Sequence, residues 1–138
     1  MEKWLIIIGA AIFGALGTIH LIYTFFGTRL LPYDENTITA MKATTLRLTK
    51  ETTVWKAWIG FNASHSLGAL IVAAVYIPLC VSHFELIRQS NWLTILPVLI
   101  GASYLILAKR YWFKIPFIGI GLSTACFVSA AFLLLTSA

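Results

Sequence analysis

Four long apolar runs, separated by polar segments, dominate the 138-residue chain. The runs extend over residues 4–26, 55–81, 92–108 and 115–136, and each is close to the roughly 20 residues that a helix needs to cross the hydrocarbon core of a bilayer. They are continuous, without the alternating polar and apolar positions of membrane barrel strands. The pattern therefore predicts an all-α fold, a four-transmembrane-helix bundle forming a single integral membrane domain over residues 1–138.

The composition also favours a membrane environment. Hydrophobic residues make up 59% of the chain and charged residues 11%, whereas a soluble domain carries about 45–50% and about 25%. So few charged groups cannot cover a globule in water, which disfavours a soluble enzyme, a nucleic-acid-binding protein and a disordered chain. The first run is longer than the apolar core of a secretory signal, roughly 7–15 residues, so we expect it to be retained as a helix.

The basic residues are distributed unevenly between the two sides of such a bundle. Of the ten Lys and Arg residues, only Lys3 and Arg88 belong to the side that carries the termini. The other eight are Arg29, Lys42, Arg47, Lys50, Lys56, Lys109, Arg110 and Lys114. The positive-inside rule places these eight in the cytoplasm and both termini outside, as expected for a multi-pass protein of a bacterial inner membrane. Anionic membrane lipids then explain the net charge of +5 better than nucleic acid does.

The longest polar segment, residues 28–53, lies between the first two spans. After Pro32, either Asp34 or Asn36 could cap a short interfacial helix. The positions that recur near helical spacing are Ile38, Met41, Thr45 and Leu48, a set that includes one threonine. This stripe is thin and threonine is a poor helix former, so an irregular polar loop is equally compatible with the pattern.

Several polar side chains fall inside the first two spans. They are His20 in the first span and Asn62, Ser64, His65 and Ser66 in the second. Because a helix rises about 1.5 Å per residue, His20, Asn62 and His65 lie at similar depths in the cytoplasmic half, and Tyr104 of the third span enters the same layer. Polar groups at such depths are costly unless they are paired. We therefore expect a direct or water-bridged contact of His20 with Asn62 or with His65.

Small residues recur at every fourth position on the same two spans. In the first span they are Ala10, Gly14 and Thr18, and in the second they are Gly60, Ser64 and Gly68. Small residues at this spacing allow two membrane helices to approach closely. The pattern predicts tight packing of the first span against the second.

Three roles are open for the polar layer. It can be a set of interhelical hydrogen bonds that fixes the register of the bundle, each worth on the order of 1 kcal/mol. His20 and His65 can be axial ligands of a haem. The layer can also be a lipid- or quinone-binding pocket, as in an enzyme that uses a histidine as general acid or base and Asn62 or Tyr104 to orient a polar group.

No catalytic residue can be assigned from the sequence. The spans contain no Asp or Glu, which argues against a proton-coupled antiporter of the small multidrug-resistance type, and the two cysteines form no CxxC pair or metal-ligand spacing. Neither a metal nor any other cofactor is firmly predicted. The leading hypothesis is a non-catalytic accessory subunit of a membrane assembly, bound to other membrane-protein subunits or to copies of itself.

The second span carries the run WKAWIGFNASHSLG over residues 55–68, and the first span pairs Gly17 with His20 three residues later. Together these motifs resemble the pattern of a family of small, uncharacterised four-span bacterial integral membrane proteins. The resemblance implies a four-helix integral membrane protein and no particular activity.

Overall fold

A computed structural model describes residues 1–136 of the chain. Its helices are α1 (Glu2–Phe26), α2 (Glu35–Ala43), α3 (Val54–Ser82), α4 (Phe84–Gln89), α5 (Asn91–Tyr111) and α6 (Lys114–Thr136). Over the described range there is no β-strand, and the one isolated β-bridge joins Thr45 to Thr53. The predicted all-α fold class is confirmed.

The four predicted spans correspond to α1, α3, α5 and α6, which are long and apolar enough to cross a membrane. Their ends agree with the sequence pattern within a few residues, and this supports a multi-pass membrane protein. The largest difference is at the end of α5, which continues three residues beyond the predicted 108 and so contains Lys109 and Arg110. Cations in the last turn interact favourably with the helix dipole, so the helix does not end where the charges begin.

The chain divides into two compact units. The first unit comprises residues 1–16 and the described residues 69–136, and the second comprises Gly17–Gly68. Within the first unit, segments of all four long helices pack around an apolar core. Its centre is Phe13, whose ring lies 5.9 Å from that of Phe127 and 5.2 Å from that of Tyr104.

Small residues bring helices of the first unit close together. A methyl group added at Gly9 of α1 would lie 2.6 Å from the Phe127 ring of α6. One added at Gly14 would lie 2.9 Å from Cβ of Ala73 on α3. The Ser123 hydroxyl donates to the Gly9 carbonyl at 2.7 Å, so α1 and α6 are also joined by a buried hydrogen bond.

The six-residue helix α4 was not expected from the sequence pattern. Its Ile87 side chain is fully buried in the core of the first unit. The Thr94 hydroxyl donates to the Ile87 carbonyl at 2.9 Å, and the Ser90 hydroxyl accepts from the backbone N–H of Leu93 at 3.3 Å, which caps α5. These contacts account for the short helix, because they satisfy polar groups of the turn while Ile87 is buried and Phe84 packs against the core.

The predicted short helix of the polar segment is confirmed as α2, which is shorter than the pattern indicated. Its N-cap is Asp34, whose carboxylate accepts from the backbone N–H of Asn36 at 3.1 Å. This bond, followed by one from the Thr37 hydroxyl, holds the pKa of Asp34 below its usual range. The helix ends at Ala43, and Thr45 instead pairs with Thr53. The segment is therefore part helix and part irregular loop, which the sequence presented as alternatives.

Candidate functional site

The candidate site lies in the second unit, where the last turns of α1 face the first turns of α3. Nε2 of His20 lies 2.9 Å from Oδ1 of Asn62. Nδ2 of Asn62 donates to the Trp58 carbonyl at 2.8 Å, four residues earlier on α3. A backbone carbonyl can only accept, so this second bond directs the amide oxygen toward His20. His20 must therefore donate through Nε2, and one bond in α3 sets the tautomer of an imidazole on α1.

The imidazole of His65 lies beside this hydrogen bond. The ring centroids of His20 and His65 are 5.6 Å apart, with an interplanar angle of 67°, an edge-to-face arrangement. His65 follows Asn62 by three residues, so both side chains leave α3 on one side of the helix. The structure thus brings together the three groups that the depth estimate from the sequence placed at one level.

Two hydroxyls support the backbone on either side of the pair. The Thr24 hydroxyl donates to the His20 carbonyl at 2.8 Å, and the Ser66 hydroxyl donates to the Asn62 carbonyl at 2.9 Å. Both side chains are buried, and both bonds run back four residues along their own helix. The sequence pattern does not single out Thr24. Its spacing of four from His20 is the one signal that could have indicated it.

The other small and polar residues predicted on α3 lie on its outer side. Gly60 and Ser64 are exposed, and a methyl group added at Gly60 would meet no atom of another helix within 4 Å among residues 1–136. The Ser64 hydroxyl donates to the Phe61 carbonyl of its own helix at 3.1 Å. Gly60 lies two residues before Asn62 and Ser64 two residues after it, so at about 100° per residue both point away from His20. We refer to Gly60 and Ser64, with the exposed Phe61 between them, as the outer face of α3.

The remaining predicted residues have different surroundings. Ala10 is buried and Gly14 is at a close helix contact in the first unit, whereas Thr18 is exposed and Gly68 is half-buried. Tyr104 belongs to the first unit, where its ring contacts those of Phe13 and Trp112. Its place in one layer with His20 stays a prediction.

The donor set limits the chemistry that the site can perform. No group of three or more His, Cys, Asp or Glu side chains that could hold a metal ion occurs among residues 1–136. Bis-histidine ligation of a haem would require His20 to exchange its bond to Asn62 for one to iron, if Nε2 is the ligand, and would require the two rings to leave their edge-to-face contact. In the observed geometry, the His20–Asn62 bond joins two helices, and the two imidazole rings are half-buried.

Comparisons of the chain with protein-family models, with curated proteins and with solved structures gave no match. The resemblance of residues 55–68 to a family of small four-span membrane proteins therefore stays a prediction.

Proposed function

We propose that the protein is a non-catalytic accessory or interaction subunit of a membrane assembly, and that its partner helix packs on the outer face of α3. The observation that carries this proposal is the uncovered Gly60, whose Cβ position has no atom of another helix of the described chain within 4 Å. Small residues at a spacing of four permit close helix approach, and Ser64 adds a hydroxyl one turn later. We call the space above Gly60 the notch of the outer face. A second helix can pack closely into this notch, whereas a lipid chain has no need of it.

The His20–Asn62 bond has a supporting role in this proposal. It fixes the side of α3 that turns toward α1, and so fixes the opposite side that is presented outward. Interhelical bonds of this kind contribute about 0.6 kcal/mol on average, enough to bias a rotation of one helix against another. The polar pair then serves orientation of the outer face and needs no substrate.

The experiment compares two substitutions that each introduce a leucine at an exposed small residue. The full chain, carrying a tag, is extracted from its own membrane with a mild detergent, and the mass of the complex is measured by native mass spectrometry. Gly60→Leu fills the notch and should abolish a complex of fixed stoichiometry. Ala125→Leu, at an exposed position on α6, is the control and should retain it. A wild-type chain that runs alone, or two variants that both keep the complex, would contradict the proposal.

The rival function is binding of a haem, lipid or quinone at the His20, Asn62 and His65 side chains. It is favoured by the half-buried state of all three residues, which leaves part of each accessible. A haem protein should show a Soret band that is lost in His65→Ala. A quinone or lipid should be retained in native mass spectra of the wild type and lost from Asn62→Ala. A colourless protein without a retained small molecule, made in haem-sufficient cells, would refute this alternative.

We also propose that residues 27–54 and 109–114 face the cytoplasm of a bacterial cell and that both termini lie outside. Seven of the ten Lys and Arg residues lie in these two segments, and Lys56 lies two residues beyond the first of them. The positive-inside rule places such segments in the cytoplasm. The test adds a membrane-impermeant thiol reagent to intact cells that express Thr37→Cys or Trp4→Cys, two changes at exposed positions. Trp4→Cys should react in intact cells, and Thr37→Cys should react only after lysis. The opposite order of labelling would reverse the proposed orientation.

A further inference from the structure

The turn between α5 and α6 forms an open groove in the first unit. Its volume is about 320 Å³, and it is lined by Ala108, Lys109, Trp112, Phe113, Lys114 and Phe117. The backbone N–H of Trp112 donates to the Ala108 carbonyl at 3.2 Å, which closes the end of α5, and α6 begins two residues later. The groove is therefore built at the point where two spanning helices end, the level at which a lipid headgroup meets a membrane protein.

Basic side chains lie on and beside the groove. Lys109, Arg110 and Lys114 are exposed, and none of them takes part in an ion pair among the described residues. The carboxylate of Glu85 precedes α5, a helix of 21 residues, and so lies about 30 Å away at the other end of that helix. That distance exceeds the Debye length of about 8 Å at physiological salt.

The helix dipole accounts for the positions of some of these basic residues and not of others. Lys109 and Arg110 lie in the last turn of α5, where the helix dipole favours cations. Lys114 is the first residue of α6, where the dipole disfavours a cation, and the first turn of α6 contains no acidic residue. A bound anion between Lys109 and Lys114 would offset this unfavourable placement.

The apolar part of the groove is aromatic. The Trp112 ring contacts the ring of Tyr104 with centroids 6.3 Å apart and an interplanar angle of 82°, which holds it against α5. Phe113 is 63% exposed and Phe117 is 37% exposed. Aromatic rings of this kind occupy the interface between headgroups and acyl chains. The groove lining thus combines two lysines with three aromatic side chains.

We propose that the α5–α6 groove binds one anionic phospholipid, with Lys109 and Lys114 on its phosphate and with Phe113 and Phe117 along the start of its acyl chains. The charge selects an anionic lipid over a zwitterionic one, and the aromatic lining selects a lipid over a soluble phosphate. The site shares no residue with the His20–Asn62 pair and does not depend on the function proposed above.

The test uses the full chain in a mild detergent, titrated with phosphatidylglycerol and followed by native mass spectrometry. One phosphatidylglycerol should bind more tightly than phosphatidylcholine. Each lysine near a lipid surface contributes about a fivefold gain in affinity, so Lys109→Gln/Lys114→Gln should weaken binding by about 30-fold. Lys109→Arg/Lys114→Arg keeps the charge and should bind nearly as well as the wild type, which separates loss of the site from loss of the fold.

The matched control is Arg47→Gln/Lys50→Gln, which removes two exposed cations from the second unit. Its affinity for phosphatidylglycerol should stay within about twofold of the wild type, since its charges lie outside the groove. The proposal is overturned if this control weakens binding as much as the groove variant does, or if phosphatidylcholine binds equally well. It is also overturned if excess inorganic phosphate displaces the lipid, because the site would then select a free anion.

Discussion

Replacing His20 by leucine removes the donor of the 2.9 Å hydrogen bond to Asn62 and leaves the amide oxygen without that partner. The converse change, Asn62→Leu, removes the acceptor and also the bond that Nδ2 makes to the Trp58 carbonyl. The double variant replaces both partners by apolar side chains of similar length. These three variants form a thermodynamic cycle around one interhelical bond.

The expected loss of stability follows from the cost of leaving one partner of the His20–Asn62 hydrogen bond unpaired. Interhelical hydrogen bonds in membranes are worth about 0.6 kcal/mol on average and up to about 1.7 kcal/mol. A partner left unpaired adds a desolvation cost, whereas removal of both partners is nearly neutral. Each single leucine variant should therefore lower the free energy of unfolding by about 1–2 kcal/mol. The double variant should be less destabilised than the sum of the two, with a coupling energy of about 1 kcal/mol.

Equilibrium unfolding in mixed micelles, followed by tryptophan fluorescence, measures these free energies. His20→Gln is a partial rescue, because its amide nitrogen can donate from about the position of the imidazole Nε2. The control second site is Ser103→Ala, whose hydroxyl donates within α5 to the Leu99 carbonyl at 2.8 Å and which should be additive with His20→Leu. Additivity of His20→Leu and Asn62→Leu within about 0.3 kcal/mol would refute the inferred hydrogen bond.

Three further outcomes are expected. Gly9→Ala places a methyl group against an aromatic ring, whereas Gly60→Ala places one in open space. Gly9→Ala should therefore destabilise the protein by about 1–3 kcal/mol relative to Gly60→Ala. Thermal unfolding in detergent measures both variants, and equal effects would contradict the packing at Gly9. Ser123→Ala loses a buried bond and should cost about 1 kcal/mol in the same assay, whereas the exposed Ser129→Ala should stay within about 0.5 kcal/mol of the wild type. Because the pKa of Asp34 is lowered in the folded protein, its cap on α2 is complete above the ordinary carboxyl pKa of about 3.9 and is lost as the pH falls through the lower folded value. Amide NMR shifts of α2 that move between pH 7 and 5 would contradict this direction.

The four spans could be predicted because hydrocarbon imposes a length and a composition on any segment that crosses it. Over residues 1–136, each long helix lies where an uninterrupted apolar run lies. Helix ends are less determined by the sequence. The third apolar run ends at 108, whereas α5 continues through Lys109, whose charge is favourable in the last turn of a helix. The sequence limited the cap of α2 to Asp34 or Asn36, and the structure shows that Asp34 accepts from a free N–H group of the first turn.

Features that depend on a second element could not be read from the sequence. The helix α4 is too short for a periodic pattern, and the burial of Ile87 and its bond from Thr94 arise only when α5 packs beside it. Likewise, Thr45 fits a helical stripe by spacing but pairs with Thr53, eight positions later. Local propensity gives way to such non-local contacts.

In the candidate site, too, some features follow from the local sequence and others depend on a second helix. Depth along a helix follows from residue number, so His20, Asn62 and His65 could be placed at one level from the sequence. Rotation about the helix axis, the orientation of the Asn62 amide and the tautomer of His20 require the partner atoms. The Trp58 carbonyl supplies the missing information, because it accepts from Nδ2 and leaves the oxygen for His20.

A small residue in a spanning helix does not by itself show that another helix packs against it. A glycine on a membrane helix permits close approach, but the neighbouring helix must supply a side chain that uses it. Gly9 is used, because the Phe127 ring fills the space where a methyl group would lie, although it falls outside the predicted stripe of Ala10 and Gly14. Gly60 belongs to the same kind of stripe on α3 and is not used within the described part of the chain. Relative to alanine, Gly60 costs about 1 kcal/mol of helix propensity and gains no contact with another helix among the described residues, and the partner helix proposed above would supply that contact.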